Sequence, residues 1–259
     1  FWESATRASD PCETQGGTNM KINAQGLHFK QLNQMIRSAP DSSIVINGCC
    51  GQRYIASGLS GKQIEIFGTP GNALGSYLDG CELFVHGDAQ DAAGDTMNSG
   101  CIAIDGLAGD AAGYAMRGGS IYVHGDIGYR AGIHMKQYKD KKPLLVAGGC
   151  AGSFLGEYQA GGTIIILGLN SGGAVPTGNF CGMGMHGGKI FLRCENPPKR
   201  IADRLICTRA DTKDLEEIAP ALDRFCELFG ESRSAIDALP FYVITPDSSN
   251  PYKQLYTSC

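Results

Sequence analysis

The sequence predicts an all-β fold, a single-stranded β-helix built as a solenoid of about 20-residue coils with short flanking helices. Three observations predict it. Short apolar runs recur at a nearly constant spacing, each run alternates at period 2, and each interval between runs carries glycines in a fixed pattern.

The runs end at Gly48 after IVIN, Gly68 after IEIF, Gly87 after LFVH, Gly106 after IAID, Gly125 after IYVH, Gly148 after LLVA and Gly168 after IIIL. The steps between these ends are 20, 19, 19, 19, 23 and 20, and an eighth run, IFLR, reaches Cys194 after a further 26. Runs this short and this rich in Ile, Val and Leu lack the length and the 3.6-residue period of a helix, and read as strands. Alternation turns Ile64, Leu83, Ile102 and Ile121 inward, with Ile66, Val85, Ile104 and Val123 as a second inward column. Coils stacked at the strand spacing give a rod roughly 35 Å long.

The intervals repeat Gly-x-x-Gly-x-x-x-Gly: Gly68, Gly71 and Gly75; Gly106, Gly109 and Gly113; Gly125, Gly128 and Gly132; and, slipped by one residue, Gly149, Gly152 and Gly156. Gly87 and Gly94 keep the ends of the pattern, with Gln90 in the middle. Glycine at such places permits positive φ or a close approach of two backbones, which a solenoid corner needs. Leu78, Met97, Met116 and Met135 share one register and read as an apolar ladder filling the coils, in preference to a thioether copper site.

Three segments follow. Residues 1–43 hold an N-terminal segment and a capping helix within GLHFKQLNQMIRSA, stopped before Pro40. Residues 44–195 form the β-helix. Residues 196–259 hold a helical segment and an extended arm: Leu215, Ile218, Leu222, Phe225 and Phe229 mark one helix face, with Asp211 as N-cap and Gly230 just past the end. Pro220 predicts a kink or a split into two short helices, and FYVITPDSSNPYKQLYTSC reads as an arm needing a surface to lie on.

Composition narrows the function. A net charge of −4 and a pI near 5.7 argue against a nucleic-acid partner. No apolar run is long enough to span a membrane and no signal h-region opens the chain, so a cytoplasmic protein is expected. The 11 cysteines are odd in number and contain no CxxC pair, which fits reduced thiols and gives no metal or cluster spacing. GMGMHG matches GxGxxG, but a strand follows it where a nucleotide site needs a helix.

The phrase VHGD occurs twice, at Val85–Asp88 and Val123–Asp126, two periods apart, so the repetition reads as strand end plus corner. His86, Asp105 and His124 fall in one outward column, with the two imidazoles about 10 Å apart, too wide for one metal. They are candidate partner contacts, as are Lys136, Lys139, Lys141 and Lys142 in KQYKDKK, where the lengthened step places a bulging loop. No catalytic or cofactor-binding residue is expected.

The phrases GYAMRGGSIYVHGDIGYRAGIHMKQY, IFGTPGNALGSYLDG and NPYKQLY resemble the C-terminal GXGXG domain of the glutamate synthase large subunit over roughly Met20 to Tyr256, nearest the form found as a separate polypeptide. One departure is Asp88, where that family more usually has Asn. The resemblance implies a right-handed β-helix that is a non-catalytic scaffold, packed between a class II glutamine amidotransferase and an FMN/iron–sulfur synthase and helping to wall the ammonia path. The FMN and the cluster are then carried by the partner subunit. Related β-helices occur in formylmethanofuran dehydrogenase and methylglutamate synthase. A stand-alone polysaccharide-binding β-helix is the alternative from another class, and it asks for an exposed row of aromatic or acidic residues.

Overall fold

A computed structural model describes residues 19–199 and 201–247. The chain runs β1 (Asn19–Asn23), α1 (Phe29–Ser38), β2 (Ser43–Cys50), β3 (Gln63–Thr69), β4 (Asp79–His86), β5 (Ser99–Ile104), β6 (Ser120–Val123), β7 (Leu144–Ala147), β8 (Ala160–Ile166), β9 (Gly187–Arg193), β10 (Leu205–Arg209), α2 (Thr212–Phe229), α3 (Arg233–Asp237) and β11 (Phe241–Pro246). The fold is mostly β. Among the described residues, 11 strands make one sheet in the order β1-β2-β3-β4-β5-β6-β7-β8-β9-β11-β10.

From β1 to β9 every neighbour pairs in parallel with its successor in the chain. Ile64 faces Leu83, Leu83 faces Ile102 and Ile102 faces Ile121; Ile66, Val85, Ile104 and Val123 form the matching second row. All eight side chains are almost wholly buried, each contributing roughly 1.5–3 kcal/mol by leaving water. A second column of parallel bridges links Ala89, Ala108, Ile127, Ala151 and Thr177, so successive repeats also pair away from the main strands. Leu78, Met97, Met116 and Met135 are buried as the period predicts, and the fully buried Gln159 interrupts this register before Met185 resumes it.

The glycine intervals close the repeats. Gly94 has φ +70°, and a Cβ there would lie 2.3 Å from the Ile121 Cδ1. Gly128 keeps ordinary φ, but a Cβ would sit 2.7 Å from the Gly109 carbonyl carbon, so close approach is what demands glycine here. Non-glycine residues flank the third glycine in the same left-handed region: Ala73 and Tyr77 around Gly75, Ala92 and Thr96 around Gly94, Arg130 and His134 around Gly132. Their backbone N–H groups bond carbonyls on the following repeat, as Ala92 does to Asp110 at 2.8 Å, while the Gly94 N–H reaches back to Leu74 at 2.8 Å. Bonds in both directions along the stack hold a backbone that alanine otherwise avoids.

The segments at either end join the same sheet. β1 extends the strand series below residue 44, and α1, N-capped by His28 in a capping box, buries Leu32 and Ile36 against the core. At the other end β11 pairs antiparallel with β9 and with β10, so Phe241–Pro246 is a strand where the sequence predicts an arm. NPYKQLY lies outside the described residues.

α2 is a single 18-residue helix that continues through Pro220, a correction to the expected kink or split. The missing N–H costs the helix about 3 kcal/mol, offset by the burial of Ile218, Ala221, Leu222 and Phe225. Asp211 caps its start through a capping box, and Gly230 ends it at φ 72°. Its apolar face packs against the outward middle column of the sheet, where Tyr122, Val146, Ile165 and Phe191 form a second core with it. That cover is a long helix, not one of the short flanking helices expected.

Candidate functional site

The corner aspartates explain the VHGD phrases. Asp88 Oδ1 accepts from the Leu107 N–H at 2.9 Å, and Asp126 Oδ1 accepts from the Cys150 N–H at 2.7 Å. A parallel column does the same: Asp91 Oδ1 accepts from the Asp110 N–H at 2.9 Å, and Asp110 Oδ1 from the Tyr129 N–H at 2.8 Å. Each carboxylate satisfies a backbone donor of the next repeat.

The three outward candidates part company. His86 lies stacked on Phe67 (centroids 4.2 Å apart, 11° between planes) and tilted on Phe84 at 4.6 Å. His124 turns toward α2: its Nδ1 is 3.3 Å from Asp105 Oδ1, and its Nε2 is 2.9 Å from Glu231 Oε1. Its ring lies flat on Phe229 at 4.8 Å. Asp105 and His124 thus meet each other and the end of the helix, while His86 belongs to a separate aromatic cluster on an open face.

The lysine loop bends back on itself through a Tyr138–Lys141 antiparallel bridge. Lys141 Nζ is 3.5 Å from Asp79 Oδ1, and Lys139 Nζ stands 5.3 Å over the Tyr138 ring. Lys136, Lys139, Lys141 and Lys142 are all exposed. Of the repeat glycines, Gly48, Gly68, Gly75, Gly87, Gly94, Gly113, Gly132, Gly156 and Gly168 have positive φ; at Gly71, Gly106, Gly109, Gly125, Gly149 and Gly152 backbone or a corner aspartate of an earlier repeat crowds the space of a Cβ.

The aromatic column at the corners escaped the sequence reading. Tyr129 meets Phe154 edge-on and Phe154 meets Phe180 at a tilt, with centroids 5.3 and 4.8 Å apart, and the Arg130 guanidinium lies over Tyr129 and Phe154. Unequal steps of 25 and 26 hide their common register. Rings this close support one another, and Tyr129 and Phe180 are exposed.

The most buried thiols are poor nucleophiles. Burial pushes the Cys181 thiol up to about 12 and those of Cys49 and Cys194 up to about 11. Among the described residues no three His, Cys, Asp or Glu side chains gather to hold a metal ion. No helix among them is long and apolar enough to cross a membrane.

Comparison with known proteins agrees with this geometry. A family model described as the GXGXG motif matches residues 31–240. An uncharacterized protein, MJ1350, of Methanocaldococcus jannaschii is 41% identical over 256 residues, covering 94% of this chain and 98% of the relative. A chain of the formyltransferase/hydrolase complex (FhcABCD) from Methylorubrum extorquens, solved with methylofuran, superposes with a TM-score of 0.60 at 21% identity, over 90% of this chain and 93% of that one. At that identity the likeness concerns the fold.

Proposed function

The chain belongs to the GXGXG motif family, and from that membership we propose that it is a non-catalytic scaffold subunit of a cytoplasmic, glutamate synthase-type complex. Its repeats wind as a right-handed β-helix, the hand that parallel strands with crossover connections almost always take. In this reading the outer faces position a class II glutamine amidotransferase and an FMN/iron–sulfur subunit, and help wall the ammonia path between them. The flavin and the cluster reside on the partner.

One observation carries the reading. The polar side chains that suggest chemistry, namely Asp88, Asp91, Asp110, Asp126 and His124, spend their hydrogen bonds on the neighbouring repeat or on the end of α2. Such bonding stiffens a rod and suits a spacer between enzymes.

The second reading, favoured by the likeness to a chain of a formyltransferase/hydrolase complex, makes this a subunit of a formylmethanofuran-type complex. Methylglutamate synthase is a third setting for the same scaffold.

Native purification of the full chain from its source cells, with mass spectrometry and a flavin absorbance scan, separates them. Amidotransferase and flavoprotein subunits with a flavin spectrum support the first reading. Formyltransferase subunits move the chain to the second. A lone, colourless chain that binds polysaccharide overturns both.

A further inference from the structure

The middle outward column of the sheet runs Lys21, Val45, Glu65, Phe84, Ala103, Tyr122, Val146, Ile165, Phe191 through successive strand pairs. α2 packs over it from Tyr122 to Phe191 and then stops at Phe229. Beyond that end, among the described residues, Phe84 is left half-buried. Phe67, His86 and Phe84 form a three-ring cluster there, with Phe67 39% exposed. A groove of ≈ 230 Å³ opens beside it, lined by Glu65, Glu82, Phe84, Ala103, Arg224 and Leu228 among others. The charge of this groove is one-sided. Glu65 and Glu82 are exposed, while Arg224, the one cation among the described residues that line it, is already held by Glu227 at 3.1 Å.

We infer that this face, β3 and β4 beyond the end of α2, is the seat of an amphipathic helix from a partner polypeptide, with Lys or Arg beside its apolar stripe. The helix extends the layer that α2 begins: its apolar side covers Phe67, His86 and Phe84, and its cations meet Glu65 and Glu82. The stripe supplies burial, and the acidic margin sets the sign of the charge that the partner presents. The inference deepens the scaffold reading by naming the face and the chemistry of its occupant.

The test places the photo-crosslinking residue p-benzoyl-phenylalanine at Phe67, and separately at the exposed Phe180 on the corner face, in the full chain expressed in its own cells. The expected product from position 67 is a covalent adduct to a basic amphipathic segment of a different polypeptide, mapped by mass spectrometry. In a Glu65→Lys/Glu82→Lys background its yield falls about tenfold, with the melting temperature unchanged. An adduct to a second copy of this chain, an adduct to an acidic or unstructured segment, or no adduct at 67 while subunits still co-purify overturns the inference. The identity of the co-purifying subunits tests the scaffold reading separately. A basic helix from an unrelated enzyme sustains the docking face and sinks the complex proposed above.

Discussion

His124 lies flat against Phe229, the ring centroids 4.8 Å apart and the planes 2° from parallel. Two residues 105 positions apart in the chain thereby fasten the end of α2 to the strand region, and Glu231 completes the joint with its bond to the imidazole at 2.9 Å. His124→Ala removes both the stack and the bond, and is expected to cost about 1–2 kcal/mol. His124→Phe keeps the stack and recovers part of the loss. Urea unfolding of the three proteins decides it; equal stability of the alanine variant and the parent rules the joint out as a fastening.

The left-handed intervals give opposite expectations at neighbouring sites. Gly94→Ala forces a Cβ against Ile121 at positive φ and is expected to destabilise by about 2–4 kcal/mol. Ala92→Gly, two residues earlier at φ 58°, relieves a strained backbone and is expected to stabilise by up to about 1 kcal/mol, after the flexibility of glycine in the unfolded chain is subtracted. Thermal melts of both variants check the sign, and a stabilising Gly94→Ala refutes the packing account.

Asp88 is the departure from the Asn that the resemblance leads one to expect. Its Oδ1 accepts the Leu107 N–H, a task that an amide oxygen performs as well. Asp88→Asn is therefore expected to stay within about 0.5 kcal/mol of the parent, and Asp88→Ala to lose about 1 kcal/mol. Faster amide exchange at Leu107 in the alanine variant alone is the direct readout.

Acid sensitivity is expected at the start of α2. Lys189 Nζ bonds Asp214 Oδ1 and Glu217 Oε2, both at 2.8 Å. The hydrogen bond from Lys189 holds the Asp214 carboxyl below its ordinary 3.8, against the opposing effect of burial. A depressed folded pKa means stability that is present above the ordinary carboxylate range and lost as pH falls through the folded value. Lys189 shows the converse: burial pushes it down, its two carboxylate partners outweigh that, and the net rise above 10.5 makes its contribution fade only in strong alkali. Lys189→Met is expected to flatten the acid limb of a melting-temperature profile below about pH 4. Superimposable limbs from the two proteins sink this assignment.

Much of the repeat was legible because it is written in residue type. Ile64, Leu83, Ile102 and Ile121 pair as the 19-residue step requires, and Asp211 and Gly230 bound α2 as their chemistry predicts. Other features left weaker marks. β1 is NMKIN, with just two apolar residues, and gains its place from pairing with β2. Alanine carries no signal of positive φ, so the left-handed Ala73, Ala92 and Ala111 were invisible beside their glycines. The run of α2 through Pro220 depends on a surface it covers, which local propensity does not record. The outward column did hold a clue: it changes from Glu65 to Tyr122, Val146 and Ile165 along the sheet, and such a change announces a cover.

That cover has a consequence for how the molecule comes apart. A stack in which each repeat bonds mainly its neighbours unzips from an end, one layer at a time. α2 lies across β6 to β9 like a splint, so those layers gain or lose their shared core together and melt as one cooperative block. β1 to β4 lack the splint. Under force or heat they are expected to open first, and hydrogen exchange is expected to divide the sheet at the end of α2 into a yielding half and a resistant one.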